Sequence, residues 1–131
     1  MPRALVIGGT GPTGPFVVGG LLERGYEVAI LHTGHHEIPE IPPEVEHLHT
    51  DPYDAEAVAT TLGSRSFDVV VASYGRVREQ ARLLRGRTGR FVTIGGVPLY
   101  RGWMYAGDSR PRGLPVPVPE DATKVATEAE L

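Results

Sequence analysis

Gly8, Gly11 and Gly14 recur at three-residue spacing, directly after the apolar run 4–7 and directly before a helical pattern. In a strand–turn–helix setting the first glycine lets the chain turn off the strand. The second lets backbone approach a phosphate without a Cβ in the way, and the third lets helix and strand pack closely. Amides at the helix start then face an anion, with the positive end of the helix dipole behind them. The stretch therefore reads as a pyrophosphate cradle formed by Gly8, Thr10, Gly11, Pro12, Thr13 and Gly14.

The rest of the chain continues the alternation that such a turn begins. Apolar strands are expected at 3–7, 27–31, 45–49, 67–72 and 90–94, and helices at 13–24, 54–62 and 76–85. Phe16, Val17, Gly20 and Leu21 are the expected inward residues of the first helix, and Val77, Ala81 and Leu84 those of the third. Gly25 and Gly63 stand where helices end, and Asp51 or Asp54 stands where the second begins. Strands one, two, four and five are near-continuous Val/Ile/Leu runs, which implies burial on both faces of a parallel sheet. Right-handed crossovers then predict an α/β fold: a Rossmann-like, doubly wound parallel sheet of about five strands in the order 3-2-1-4-5.

Beyond Gly95 the pattern dissolves into a proline- and glycine-rich stretch, so the expected division is a dinucleotide-binding domain at 1–96 and a C-terminal segment at 97–131. A short helix is expected to begin near Glu120, with Ala122, Val125, Ala126 and Ala129 as its apolar side. With 131 residues there is room for one modest core. The chain has no cysteine, so disulfides and thiolate chemistry are excluded. The N-terminal apolar run is too short for a signal peptide or a membrane span, which places the protein in the cytoplasm. A net charge of −3 gives no pull toward nucleic acid. Six arginines between Arg76 and Arg90 read as a solvated helix face, because no aromatic residues interleave with them for base stacking.

In this topology ligands sit outside the carboxyl ends of the strands at the switch point. That places the pyrophosphate at Gly8 to Gly14, the adenosine ribose at His32, Thr33 and His35, the adenine at Asp51 and Pro52, and further contacts at Ala72, Ser73 and Tyr74. The end of strand two carries neither the acid that would bind a ribose 2′-hydroxyl nor the arginine that would bind a 2′-phosphate. With no carboxylate there to repel a phosphate, the balance between NADP and NAD tips slightly to NADP. His47 and His49 share a strand face and His32, His35 and His36 cluster in a loop, but no set with standard ligand spacing is assembled, so no metal site is expected.

The pattern Gly8-Gly9-x-Gly11-x-x-Gly14 resembles the extended short-chain dehydrogenase/reductases, the NAD-dependent epimerase/dehydratase family. The resemblance runs over residues 3–120 and takes in Asp51, the strand at 67–71, the stretch from Arg90 to Tyr100 and the proline-rich run before Glu120. It covers only the cofactor-binding part of what are much longer proteins. The family implies a nicotinamide dinucleotide, an aspartate at the position of Asp51 accepting the adenine amino group, and, at the position of Thr33, an arginine in many NADP users. It also implies a catalytic Tyr-x-x-x-Lys pair beside a Ser or Thr. Here the only lysine is Lys124, four residues after Glu120, and the position four before Tyr100 is Gly96. No catalytic residue is therefore assigned.

Three readings remain open: the cofactor half of a larger or split NAD(P)-dependent epimerase, dehydratase or reductase, a non-catalytic dinucleotide sensor, or an interaction domain that keeps the fold without binding a dinucleotide. The expected partners are the dinucleotide and either a substrate-binding half or a second copy, with Val77, Ala81, Leu83 and Leu84 as a dimer face. Neither nucleic acid nor membrane is expected.

Overall fold

A computed structural model of the chain describes residues 1–95, 100–103, 106–108, 111–114 and 116–125. Strands β1 (Arg3–Ile7), β2 (Glu27–His32), β3 (Glu46–His49), β4 (Phe67–Ala72) and β5 (Thr88–Thr93) alternate with helices α1 (Gly14–Glu23), α2 (Ala55–Leu62) and α3 (Val77–Leu83). The strands form one sheet in the order β3-β2-β1-β4-β5, and every pairing in it is parallel. This is the doubly wound α/β architecture expected from the sequence. β1 lies at its centre, where Val6 faces Ile30 on one side and Val71 on the other.

Because side chains alternate across a strand, the two faces build separate cores. Leu5, Ile7, Leu31, Leu48 and Val70 pack on one side with Val58 and Leu62 of α2. Ala4, Val6, Val28 and Ile30 pack on the other with Val18 of α1 and with Ile41 and Val45 from the β2–β3 connection. Gly25 and Gly63 end α1 and α2 at positive φ, +80° and +53°, as their positions predict. Asp54, rather than Asp51, caps α2, accepting from the amides of Glu56 and Ala57.

Four details depart from the sequence reading. In α1, Phe16 points to solvent at 82% exposure and Val18 takes the inward position, with Val17 and Leu21 only partly buried beside it, because α1 docks on the sheet through a face centred on Val18. In α3, Gln80 and Leu84 are buried while Ala81 is exposed, so Leu84 belongs to the core and not to a dimer face. β5 is an edge strand with Val92 exposed, as is Ile94 just beyond its end, so the apolar run does not signal burial on both faces. The described residues from Glu120 to Val125 form a turn and an isolated bridge rather than the start of a helix; residues 126–131 lie outside those described.

The chain divides into two compact units, Met1–Ile94 and Gly95–Leu131. In the second, Tyr100 and Lys124 pair as an antiparallel bridge, and the Arg101 amide donates to the Thr123 carbonyl at 2.8 Å. Among the described residues no helix is long and apolar enough to cross a membrane.

Candidate functional site

The glycine turn leaves the end of β1 where its pattern requires. Gly8 has φ +91°, which lets the chain leave the strand sharply. A Cβ on Gly14 would fall 1.9 Å from the Gly9 carbonyl oxygen, so only glycine lets α1 start against the turn. The Gly11 amide donates to the Gly8 carbonyl and the Gly14 amide to the Gly11 carbonyl, at 3.4 and 2.9 Å. Thr13 precedes α1 without a side-chain cap. Among the described residues, the amides of Thr10, Thr13 and Phe16 donate to no carbonyl of the turn. These are the donors that an anion at a helix N-terminus uses.

The space above Gly8 and Gly11 holds the ring of Tyr74. A Cβ on Gly8 would lie 2.1 Å from Tyr74 Cδ2, and one on Gly11 would lie 3.1 Å from its hydroxyl oxygen. The lack of side chains at the first two glycines thus accommodates a tyrosine from the β4–α3 loop. That ring is 45% exposed and forms one wall of a cavity of about 240 Å³ along the carboxyl edge of the sheet.

Gly8, Thr10, Gly11, His32, Thr33, Asp51, Pro52 and Tyr74 of the expected site line this cavity together, with His36 and Tyr53 added. Pro12 lines an adjoining cleft with Phe16, Ile38 and Glu40, which is where the outward Phe16 lies. The remaining expected residues do not line the cavity. Thr13 is exposed at the start of α1, and Gly14 is buried against Gly9. His35 is exposed, and His36 takes its place in the wall. Ala72 is fully buried in the core, and the Ser73 amide extends the sheet ladder by donating to the Ile7 carbonyl at 3.2 Å. Asp51 accepts from the Tyr53 amide at 2.9 Å, a local turn that turns the chain into the cavity wall.

Gln80 organises two of these walls. Its side-chain amide nitrogen donates to the Pro52 carbonyl at 3.2 Å and to the Tyr74 carbonyl at 3.0 Å, tying the loop after β3 to the loop after β4. Gly75, at φ +91°, makes this possible, since a Cβ there would fall 2.3 Å from both the Gln80 nitrogen and the Pro52 oxygen. The sequence signal for Gln80 was its spacing: Val77, Gln80 and Leu84 follow the three-then-four rhythm of an inward helix face. A polar residue in that rhythm marks a buried hydrogen-bonding position.

At the end of β2 the fold assembles a group that the sequence reading left scattered. The parallel register sets His32 beside His49 and Ile30 beside His47, so all three histidines share the sheet face that carries Ile30. The β2–β3 loop folds Glu37 back onto them. Glu37 Oε1 lies 2.9 Å from His49 Nε2 and 3.5 Å from His32 Nε2, and Oε2 lies 3.0 Å from His47 Nδ1. His32 Nε2 and His47 Nδ1 are 3.1 Å apart. Burial pushes the His32 imidazole below its ordinary value against the pull of Glu37, with His47 and His49 adding to the depression. For Glu37, desolvation pushes the carboxyl up, but the hydrogen bond from His49 and the neighbouring His32 and His47 outweigh it and hold it below the usual range. The two histidine groups seen apart in the sequence thus meet through His32, while His35 stays exposed. Glu37, five residues beyond His32, reaches this cluster but does not line the cavity.

Among the described residues there is no Tyr-x-x-x-Lys pair on a helix. The ammonium of Lys124 lies 6.0 Å from the centroid of the Tyr100 ring in the second unit. Gly96, where the family places its Ser or Thr, lies outside the described residues.

No protein-family model and no curated protein matches the sequence. Solved structures do match the fold. An enzyme of Bordetella bronchiseptica, WbmG, solved in complex with NAD, aligns with a TM-score of 0.71 at 16% identity over 96% of this chain and 44% of its own. A UDP-galactose 4-epimerase aligns with a TM-score of 0.66 at 19% identity, over 94% of this chain and 44% of its own. The epimerase Mth375 of Methanothermobacter thermautotrophicus aligns with a TM-score of 0.63 at 21% identity, over 76% and 37%. This chain thus spans less than half the length of these three proteins, and what it shares with them is the Rossmann-like fold.

Proposed function

We propose that this chain binds a nicotinamide dinucleotide along the carboxyl edge of its sheet, as the cofactor half of an epimerase-, dehydratase- or reductase-type oxidoreductase. The observation that carries the reading is that eight of the fourteen expected residues, from Gly8 to Tyr74, line one cavity at the strand-order switch point. The unpartnered amides of the glycine turn suit a diphosphate, and Asp51 and Thr33 stand in the same wall for adenine and ribose. When bound, the nicotinamide would supply hydride transfer. The chain's own residues would hold the diphosphate, orient the adenosine and line its pocket. Residues 32–36 at the end of β2 carry neither acid nor arginine, which leaves NADP only slightly favoured over NAD, so the test titrates both forms.

Tyr74 shapes the expected result, since its ring lies over the glycines that a diphosphate must approach. Binding therefore requires the ring to rotate away, and the share of open molecules scales the apparent affinity. Titration with NADH and NADPH, followed by nucleotide fluorescence and by melting temperature, is expected to give saturable binding and a rise of several degrees. Tyr74→Ala is expected to bind severalfold more tightly. No response to millimolar nucleotide in either the parent or the Tyr74→Ala chain would sink the proposal.

A second reading is favoured by one observation, the same ring. If Tyr74 is a permanent plug, the domain keeps the fold as an interaction module, and the Tyr74→Ala chain alone would bind nucleotide.

A further inference from the structure

We infer that His32, Glu37, His47 and His49 form a zinc-binding site that fastens the β2–β3 loop to the edge of the sheet. Three imidazole nitrogens and a carboxylate oxygen lie within 4.8 Å of one another. A tetrahedral zinc ion with bonds of about 2.0–2.1 Å separates its donors by about 3.3 Å. Four of the donor separations here run from 2.9 to 3.5 Å and none in the set exceeds 4.8 Å, so the side chains would close slightly around an ion.

The ring arrangement points the same way. The three imidazoles meet edge to face, with interplanar angles of 64°, 71° and 82° and centroids 5.0 to 6.0 Å apart. Ligands converging on one tetrahedral ion fan out like this, whereas stacked rings would aim their nitrogens past each other. The donor set selects the metal: imidazole suits zinc and related borderline ions, and three imidazoles with one carboxylate complete a four-coordinate shell. Calcium and magnesium, which require oxygen cages, are poorly served.

A salt-linked surface patch is the competing account, and burial distinguishes them. The His32 side chain is only 6% exposed and carries its Nε2 to within 3.5 Å of both His47 Nδ1 and Glu37. Gly34, at φ +81°, brings the loop so close that a Cβ would lie 3.0 Å from His49 Cδ2, which is how Glu37 reaches over the cluster. Binding would release the protons shared among these donors and cross-link two strands and the loop between them. The inference does not rest on nucleotide binding.

The test uses the full chain without an affinity tag, stripped with chelator and titrated with zinc against a chromophoric competitor. One ion per chain is expected, with a higher melting temperature, and cobalt in its place is expected to give the strong visible bands of a four-coordinate ion. Loss of an outer-sphere partner costs about 10–100-fold in metal affinity. Removing a direct ligand at the exposed positions, His49→Ala or Glu37→Gln, is expected to cost at least as much while leaving the far-UV circular dichroism unchanged. The double variant His35→Ala/His36→Ala should bind zinc like the parent. The inference is overturned by zinc uptake that is absent or non-stoichiometric, by the weak spectrum of six-coordinate cobalt, or by the double variant losing as much affinity as His49→Ala.

Discussion

Two loops meet at the carboxyl edge of this sheet, and they are encoded differently. The turn between β1 and α1 depends on backbone: Gly14 is confined by the Gly9 carbonyl, five residues away. The loop between β2 and β3 depends on side chains from positions 32, 37, 47 and 49, which meet only because β2 and β3 pair in one register. A one-residue slip of that register would send His47 and His49 to the opposite face. Motifs built on local backbone geometry are visible in a string of residues. Clusters built on strand pairing are not.

Substitutions at matched glycines sharpen that contrast. Gly14→Ala is expected to have the largest effect, a loss of about 3 kcal/mol or more by urea denaturation, since the clash is with backbone and α1 itself must move. A loss under about 1 kcal/mol would show that the turn can relax and that its glycine pattern is not structurally required. Gln80→Leu tests the clasp between the β3 and β4 loops. The Pro52 carbonyl keeps the Arg76 amide at 3.3 Å, so the cost falls mainly on the Tyr74 carbonyl and is expected to be about 1–2 kcal/mol.

Gly34→Ala is the counterpart of Gly14→Ala in the histidine loop. Its positive φ and the His49 contact predict a loss of about 1 kcal/mol, because a side chain can shift where a carbonyl cannot. Equal losses at Gly14 and Gly34 would erase the distinction between the two loops. The smallest effect is expected at Gly19→Ala, where nothing lies within 4 Å of the added carbon. It should stabilise by up to about 1 kcal/mol through helix propensity alone. A destabilised Gly19→Ala would mean that α1 is packed on its outer side as well.

The strands and the parallel order were legible because each buried run of β1, β2 and β4 has its own apolar signature, and the helix ends because Gly25 and Gly63 sit at positive φ. The candidate cavity was legible through topology, which names strand ends without needing side-chain directions. Phe16 and Ala81 were misread because an apolar stripe does not say which part of the helix the sheet covers: adjacent positions lie about 100° apart, and docking buries Val18 and Gln80 instead. Val92 was misread because an apolar run looks the same in a central strand and at an edge.

By itself, the sequence determined that an α/β sheet would form with a glycine turn at its switch point, because hydrophobic period and glycine spacing act over a few residues. Only the tertiary structure decided that Tyr74 covers that turn, that Gln80 ties two loop ends together, and that Glu37 joins three histidines. Each of those contacts joins residues from different strand ends, and their proximity follows from sheet register and loop path, which no local pattern records.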